Sequence, residues 1–271
     1  MPELPEVETV RRGLAPHLLG RRIQELRLRQ PHLRWPVDPA LPELLPGRIL
    51  VALERRAKYL LLRLDQGNLI LHLGMSGSLR MLPAATLPGP HDHLDLVLDS
   101  GACLRLRDPR RFGACLWSPD DPLAHPLLRN LGPEPLEPGF DGAYLHRLAQ
   151  GRRLAVKNFI MDGRVVVGVG NIYANEALFQ ARIHPGRAAG TLSSHGYQRL
   201  AGAIRAVLEA AIVQGGTSLR DFSQVDGQPG YFAQQLAVYG RAGQACPACG
   251  KVLEEVRIGQ RSSFFCRRCQ T

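Results

Sequence analysis

Two groups of residues have types and spacings that could do chemistry. The first is the opening, Met1-Pro2-Glu3-Leu4-Pro5-Glu6-Val7-Glu8-Thr9. Removal of Met1 would leave a secondary amine at Pro2 beside the Glu3 carboxylic acid. An α-amino group titrates near about 8, against about 10.4 for a lysine side chain, so close to neutrality part of it is an uncharged nucleophile, able to attack a sugar or carbonyl carbon and form an iminium. A plainer reading stands beside this one: Glu3, Glu6 and Glu8 also suit the positive end of a helix. The second group is Cys246-Pro247-Ala248-Cys249 and Cys266-Arg267-Arg268-Cys269, two Cys-x2-Cys knuckles 16 residues apart, with Gly250 where a tight turn is needed. Thiolate pairs at this spacing enclose one tetrahedral Zn²⁺, and four protein ligands leave no open position for water, so the metal is expected to be structural.

Arginine dominates the cations. The chain has 31 arginines and three lysines, Lys58, Lys157 and Lys251. Arginine suffices for phosphate recognition but does not release a proton at physiological pH, so each lysine is a candidate for chemistry or a survivor of a coding bias toward arginine. The formal charge of +10 points to a polyanionic partner, without choosing between DNA, RNA and anionic lipid. With 45% hydrophobic residues over 271 positions, no long apolar run and no signal-peptide pattern, a globular cytoplasmic protein of more than one domain is expected, with no membrane association. Cys103 and Cys115 read as reduced core cysteines.

The elements that must position these groups follow from periodicity. Leu4, Val7, Val10 and Leu14 fall at helical spacing, which would tether the terminus to a short packed helix. From about 22 to 117, short alternating runs at Ile49–Leu53, Tyr59–Leu64, Asn68–Leu73, His93–Leu98 and Ala102–Arg107 are separated by turn residues and predict an antiparallel sandwich or barrel. A proline-rich crossing over 118–140 leads to helical segments near 141–150, 152–161, 171–181 and 195–214. Residues 215–230 are too polar and glycine-rich for a packed element and read as a binding loop. The expected fold is therefore α+β: an N-terminal β-sandwich domain with a leading helix (1–131), a helical domain carrying the loop at 215–231 (132–235) and a zinc finger (236–271). Between its knuckles the finger carries Arg257 and Arg261, and within the second Arg267 and Arg268. These suit a nucleic-acid-contacting hairpin or a merely solvated basic one.

The opening segment through Arg11-Arg12-Gly13-Leu14 resembles that of formamidopyrimidine-DNA glycosylases, bacterial enzymes that excise oxidised purines. The resemblance continues in Arg55-Arg56-Ala57-Lys58-Tyr59, His72-Leu73-Gly74-Met75-Ser76-Gly77 and Asp108-Pro109-Arg110-Arg111-Phe112-Gly113. It extends through Val167-Gly168-Val169-Gly170-Asn171-Ile172-Tyr173-Ala174-Asn175-Glu176 and Gly227-Gln228-Pro229-Gly230-Tyr231. It implies a bifunctional glycosylase and lyase acting on duplex DNA through a Schiff base at Pro2, followed by β,δ-elimination. Glu3 would protonate the departing sugar oxygen, Lys58 would donate a proton in β-elimination, and Arg261 would serve δ-elimination. A guanidinium keeps its charge at physiological pH, so it is better suited to clamping a leaving phosphate than to giving up a proton.

A base acted on by an enzyme must leave the stack, and the resemblance gives Met75, Arg110 and Phe112 the task of filling the gap. Without it, Met75 and Phe112 read as core residues. Asn171, in a helix, two turns, helix element, would hold a phosphate, with His91, Arg152 (where lysine is usual) and Lys157 as further DNA contacts; His91 could equally lie on an exposed strand end. Glu6 and the loop with Arg220, again in place of lysine, would read the oxidised base, and Glu176 would orient the terminal amine. A monomer, associated with the nucleoid, is expected. Two alternatives remain, an endonuclease VIII type enzyme for oxidised pyrimidines and a non-enzymatic zinc-finger DNA binder. The first typically begins Pro-Glu-Gly-Pro-Glu, where this chain has Leu4, and the second has no use for Pro2 beside Glu3.

Overall fold

A computed structural model describes residues 2–216 and 236–271. They divide into two compact units, one comprising residues up to 129 with 215–216, the other 130–214 with 236–271. The finger hairpin belongs to the same unit as the helices.

The first unit opens with helix α1 (Leu4–Leu18), which runs past the expected end at Leu14 and through Pro16. Strands β1 (Ile23–Leu28), β2 (Leu50–Arg56), β3 (Tyr59–Leu64) and β4 (Asn68–His72) follow, with the short helix α2 (Leu41–Leu44) after β1. Strands β5 (Ser78–Pro83), β6 (Asp92–Leu98), β7 (Ala102–Arg107) and β8 (Ala114–Ser118) complete the set. They form two four-stranded antiparallel sheets, ordered β1-β6-β7-β5 and β2-β3-β4-β8. One apolar core joins them: Val7, Val10, Leu14 and Leu18 of α1 pack with inward residues of both sheets, including Leu62, Leu71, Leu96 and Leu104. Period-two alternation puts these leucines inside and the charged residues between them outside. Cys103 and Cys115 are fully buried, and burial pushes the Cys115 thiol up to about 12, consistent with inert core residues.

On the face of the first sheet turned from the core, Asp95 is 1% exposed and is the centre of an ionic cluster. Arg105 donates to both its oxygens at 2.8 Å, and Arg29 donates at 2.6 and 3.1 Å. Burial pulls this carboxyl up, but the hydrogen bonds from Arg105 and Arg29 prevail and hold it below the usual carboxylate range.

In the second unit, α3 (Gly142–Ala149) is capped by Asp141, and α6 (Ser194–Val213) by Ser193. The two helices come close at Gly142, where a Cβ would stand 2.5 Å from the Gln198 backbone. Between them lie α4 (Val156–Met161) and α5 (Asn171–Gln180). Helix α4 starts later than the expected residue 152 because 152–155 pairs as extended chain with 187–190: Gly190 N–H donates to Arg152 O at 2.8 Å and Ala189 N–H to Leu154 O at 2.9 Å. The finger hairpin consists of β9 (Glu254–Ile258) and β10 (Arg261–Phe265), joined at Gly259-Gln260, both with positive φ as a tight two-residue turn requires. No helix among the described residues is long and apolar enough to cross a membrane.

Removing one member of a buried charge cluster leaves the others uncompensated, at a cost of about 3–5 kcal/mol. Asp95→Asn should therefore lower the stability of the first unit by about 3 kcal/mol. Denaturant titration followed by tryptophan fluorescence reads this directly, since Trp35 and Trp117 both lie in that unit; an unchanged midpoint would mean that the cluster contributes nothing.

Candidate active site

Pro2 and Glu3 are buried at the start of α1. Glu3 is the residue preceding the helix, with extended backbone, and its N–H donates to the Glu6 carboxylate at 2.8 Å. This bond satisfies a helix-terminal donor and fixes the peptide that carries Pro2. Glu6, 2% exposed, also lies against Gly216, where a Cβ would approach its Oε1 to 3.1 Å. Arg220 and most of the 215–231 loop fall outside the described residues.

One turn further along α1, Glu8 gathers three arginines. It accepts from Arg11 Nη2 and Arg12 Nε at 2.8 Å and from Arg55 Nε at 3.2 Å. Arg55 in turn donates to Ala57 O at 3.0 Å, and Ala57, with φ of 55°, makes the turn that presents Lys58 between β2 and β3. A single carboxylate thus ties the helix bearing the terminus to the turn bearing Lys58. Burial alone would raise the Glu8 pKa, but Arg11 and Arg12 outweigh it and bring the group down to about 2.

His72, at the end of β4, packs its ring 4.7 Å from Tyr59. Burial, then the charges of Lys58 and Arg34, lower its pKa to about 4, so it is a neutral imidazole beside Lys58. Its Nδ1 accepts the Gly74 N–H at 3.0 Å, which shapes the following turn. There Met75 is 39% exposed, and Phe112 on the neighbouring turn is 42% exposed. Both stand outside the core to which periodicity alone would assign them. Gly74, at φ of 61°, lies so close to Phe112 that a Cβ would meet its carbonyl carbon at 2.3 Å. Arg110 stacks over the Phe112 ring at 4.9 Å. The fully buried Asp108 holds the two turns together, accepting from Ser76 Oγ and Gly113 N at 2.7 Å and from Arg110 N at 3.3 Å. His91 is exposed in the left-handed region at φ of 71°, with its carbonyl taken by Asp108 N–H at 3.0 Å.

In the second unit a set of polar side chains grips the finger hairpin. Lys157 is fully buried, and its ammonium donates to Ser262 O and Ser263 Oγ, each at 2.7 Å. Asn171, the first residue of α5, donates to Ser262 O at 3.2 Å, while its own buried Oδ1 has no hydrogen-bond partner. Asn175 accepts from Phe264 N at 2.7 Å. Glu176 accepts the N–H groups of Ala237, Val238 and Tyr239 at 2.8–3.0 Å; burial raises its pKa against these three donors. Arg261 is exposed at the start of β10, and Arg152 is exposed after α3. Sulfur atoms of Cys246, Cys249, Cys266 and Cys269 all lie within 4.8 Å of one another, with Cys246–Cys269 at 4.0 Å and Cys249–Cys266 at 3.5 Å. Zn–S bonds of about 2.3 Å in a tetrahedron need sulfurs about 3.8 Å apart, so the donor set fits one zinc ion.

Residues 1–115 match the model of the formamidopyrimidine-DNA glycosylase N-terminal domain, 131–223 that of the H2TH domain of the same glycosylases, and 243–271 a zinc finger found in FPG and IleRS. The chain belongs to the formamidopyrimidine-DNA glycosylase family. The curated formamidopyrimidine-DNA glycosylases of Alkalilimnicola ehrlichii and Methylococcus capsulatus are 59% and 60% identical, with all of each chain covered. Among solved structures, the MutM (Fpg) protein of Thermus thermophilus is 40% identical with a TM-score of 0.89, covering 99% of this chain and 98% of its own. An Fpg mutant of Lactococcus lactis in complex with Fapy-dG-containing DNA is 32% identical with a TM-score of 0.93 over the full length of both chains. The four cysteines of this formamidopyrimidine-DNA glycosylase family member constitute a structural zinc site.

Lys157, expected at the DNA backbone, is buried and donates to the finger hairpin, and Glu176, expected to orient the terminal amine, accepts from the chain at 237–239. Three residues escaped the sequence reading: Glu8, Asp108 and His72. Asp108 had a local signal, since an aspartate before proline that accepts from the chain two and five residues on is a turn former. Glu8 had a local signal for its pairing with Arg11 and Arg12 at i+3 and i+4, but none for its link to Arg55, which is remote in sequence.

The folded Glu8 pKa lies below the unfolded one, so its contribution is complete above about pH 4.5 and disappears as pH falls through about 2. Glu8→Gln should cost on the order of 2 kcal/mol at pH 7 and progressively less toward pH 2, read by urea unfolding at several pH values. A penalty independent of pH would refute the charge assignment. Cys249→Ser should release zinc, measured by metal analysis, and loosen the hairpin, measured as faster amide exchange at Ser263 and Phe264. Full zinc content in that variant would exclude the four-cysteine site.

Proposed function

We propose that this chain excises oxidised purines, including 8-oxoguanine and formamidopyrimidines, from double-stranded DNA and then cuts the strand at the resulting abasic site. The observation that carries this reading is the Pro2–Glu3 terminus, buried at the head of α1 and anchored through the Glu3 N–H to Glu6. A chain terminus is normally frayed; here it is held, as a nucleophile must be. The relatedness to curated formamidopyrimidine-DNA glycosylases supports the substrate class, and the similarity to L. lactis Fpg and MutM in complexes with lesion-containing or abasic-site DNA supports the partner.

With Met1 removed, the Pro2 nitrogen forms a bond to C1′ of the damaged nucleotide as the bond from C1′ to the base breaks. Glu3 delivers a proton to the ring oxygen, the sugar opens, and the nitrogen becomes an iminium. That positive charge acidifies the C2′ proton, whose loss expels the 3′ phosphate; Lys58, on the turn aligned by Glu8 and Arg55, serves this β-elimination through proton transfer. A second elimination expels the 5′ phosphate, with Arg261 stabilising its charge. Met75, Arg110 and Phe112 suit the space left by the extruded nucleotide: an apolar thioether, a guanidinium able to bond the orphaned base, and an aromatic face. His91, Arg152 and Asn171, whose side-chain carbonyl lacks a partner, are placed on exposed turns and helix ends that suit DNA contacts. Glu6, against Gly216, is suited to oxidised-base recognition together with the loop containing Arg220. The zinc supplies no step and stabilises the hairpin that presents Arg261.

Borohydride should trap a covalent adduct between the protein and a duplex carrying 8-oxoguanine opposite cytosine, with the linkage on Pro2 by mass spectrometry. Pro2→Gly, or an extension ahead of Pro2, should reduce trapping by roughly the 10²–10⁴-fold typical of losing a group engaged in the reaction. A folded protein, free of Met1, that neither traps nor cuts this duplex would defeat the proposal.

A further inference from the structure

The face of the first sheet turned away from the core carries arginines that the proposed chemistry does not use. Arg80 on β5 and Arg105 on β7 are register partners, and Arg107 is paired with Ser78 on one side and Asp92 on the other. The segment between β5 and β6 folds over this face. Arg105 donates to Thr86 O at 2.7 Å and Leu87 O at 3.1 Å, and the Asp92 carboxylate accepts the Gly89 N–H at 2.8 Å. Beneath the segment lies an open cavity of about 150 Å³, lined by Arg80, Arg105 and Arg107 with Gly89, Pro90 and Asp92. This is room for several water molecules or one hydrated tetrahedral oxyanion.

Charge and hydrogen bonding point to such a guest. Arg105 is committed to Asp95, with a longer contact of 3.4 Å to Asp92. Arg107 makes no side-chain hydrogen bond or ion pair among the described residues, and its Nε is buried without an acceptor. Arg107 is half-buried, and a buried N–H left without an acceptor is costly, which favours occupation by an acceptor anion. Four guanidiniums, Arg29, Arg80, Arg105 and Arg107, face two carboxylates, Asp92 and Asp95, so this face retains a positive excess. Guanidinium forks match the oxygens of a phosphate in paired geometry.

We infer that this cavity binds one phosphate-class oxyanion, held chiefly by Arg107 with Arg80. The anion could be a phosphodiester of the bound duplex or free phosphate. The rim residue Asp92 adjoins His91, and Arg107 leads through Asp108 to Arg110, so the site is continuous with the turns assigned to DNA. The duplex source rests on the glycosylase reading; the anion site does not.

The test uses the full chain, Arg107→Gln and Arg107→Lys, with circular dichroism and tryptophan fluorescence to verify folding. Inorganic phosphate, against sodium chloride of equal ionic strength, should raise the thermal midpoint of the parent and of Arg107→Lys more than that of Arg107→Gln. If a duplex phosphate fills the cavity, Arg107→Gln reduces the salt slope of undamaged-duplex affinity by about 0.9, and phosphate competes with duplex in the parent but not in that variant. Phosphate-specific stabilisation with an unchanged slope identifies the guest as free phosphate. Equal midpoint responses in all three proteins, with no change of slope or competition, overturn the site. Borohydride trapping does not bear on this outcome, so failure of the anion site and failure of the glycosylase reading are separable.

Discussion

The Glu8 carboxylate is the interaction on which the geometry of the first unit turns. The Pro2–Glu3 segment precedes the first turn of α1, and the Lys58 turn is remote from it in sequence. Arg55 joins the two by bonding Glu8 with one nitrogen and the Ala57 carbonyl with another. Because its pairing with several guanidiniums outweighs the cost of burial, the group remains ionised through the whole physiological range. The bracket is therefore insensitive to the pH changes that would switch a histidine. A lone surface ion pair would contribute little, but a shared carboxylate among three arginines restricts the positions of all of them.

Asp108 plays the equivalent part for the exposed turns. Met75 and Phe112 keep apolar surface in water, which is unfavourable unless a partner covers it. What keeps the turns in place is beneath them: Asp108 satisfies Ser76, Arg110 and Gly113, and the absence of a Cβ at Gly74 lets the two turns touch. The left-handed conformation of His91 depends on the same segment, through the Asp108 N–H. Backbone hydrogen bonding thus presents the side chains without using them.

Much of this was legible in the sequence, for particular reasons. The cysteine spacing specified the metal site because tetrahedral thiolate coordination permits few arrangements. Strands such as Tyr59–Leu64 and Ala102–Arg107 were readable from alternation, whereas β1 and β5 are interrupted by charged or polar residues and β8 is a short five-residue run, so all three were seen only as part of a strand-rich region. Helix α4 was extended too far because Arg152 to Ala155 have acceptable helical propensity, and only pairing with the segment near Ala188 excludes them from it. The exposure of Met75 and Phe112 ran against composition and was anticipated only through the family resemblance. Lys157 shows the deeper limit. Its charge suggested a surface role, and nothing local reveals that its two acceptors lie about a hundred residues further on, in the hairpin.

That hairpin links metal chemistry to the polar interior of the helices. Ser262 and Ser263 accept the Lys157 ammonium from a segment stapled by thiolates, so stripping the metal would release two of the acceptors of a buried cation. Oxidants able to convert guanine into a lesion also attack accessible sulfur, and Cys249 and Cys269 are only partly covered. Under severe oxidative stress this DNA glycosylase family member would thus itself be exposed to loss of its metal and loosening of its hairpin.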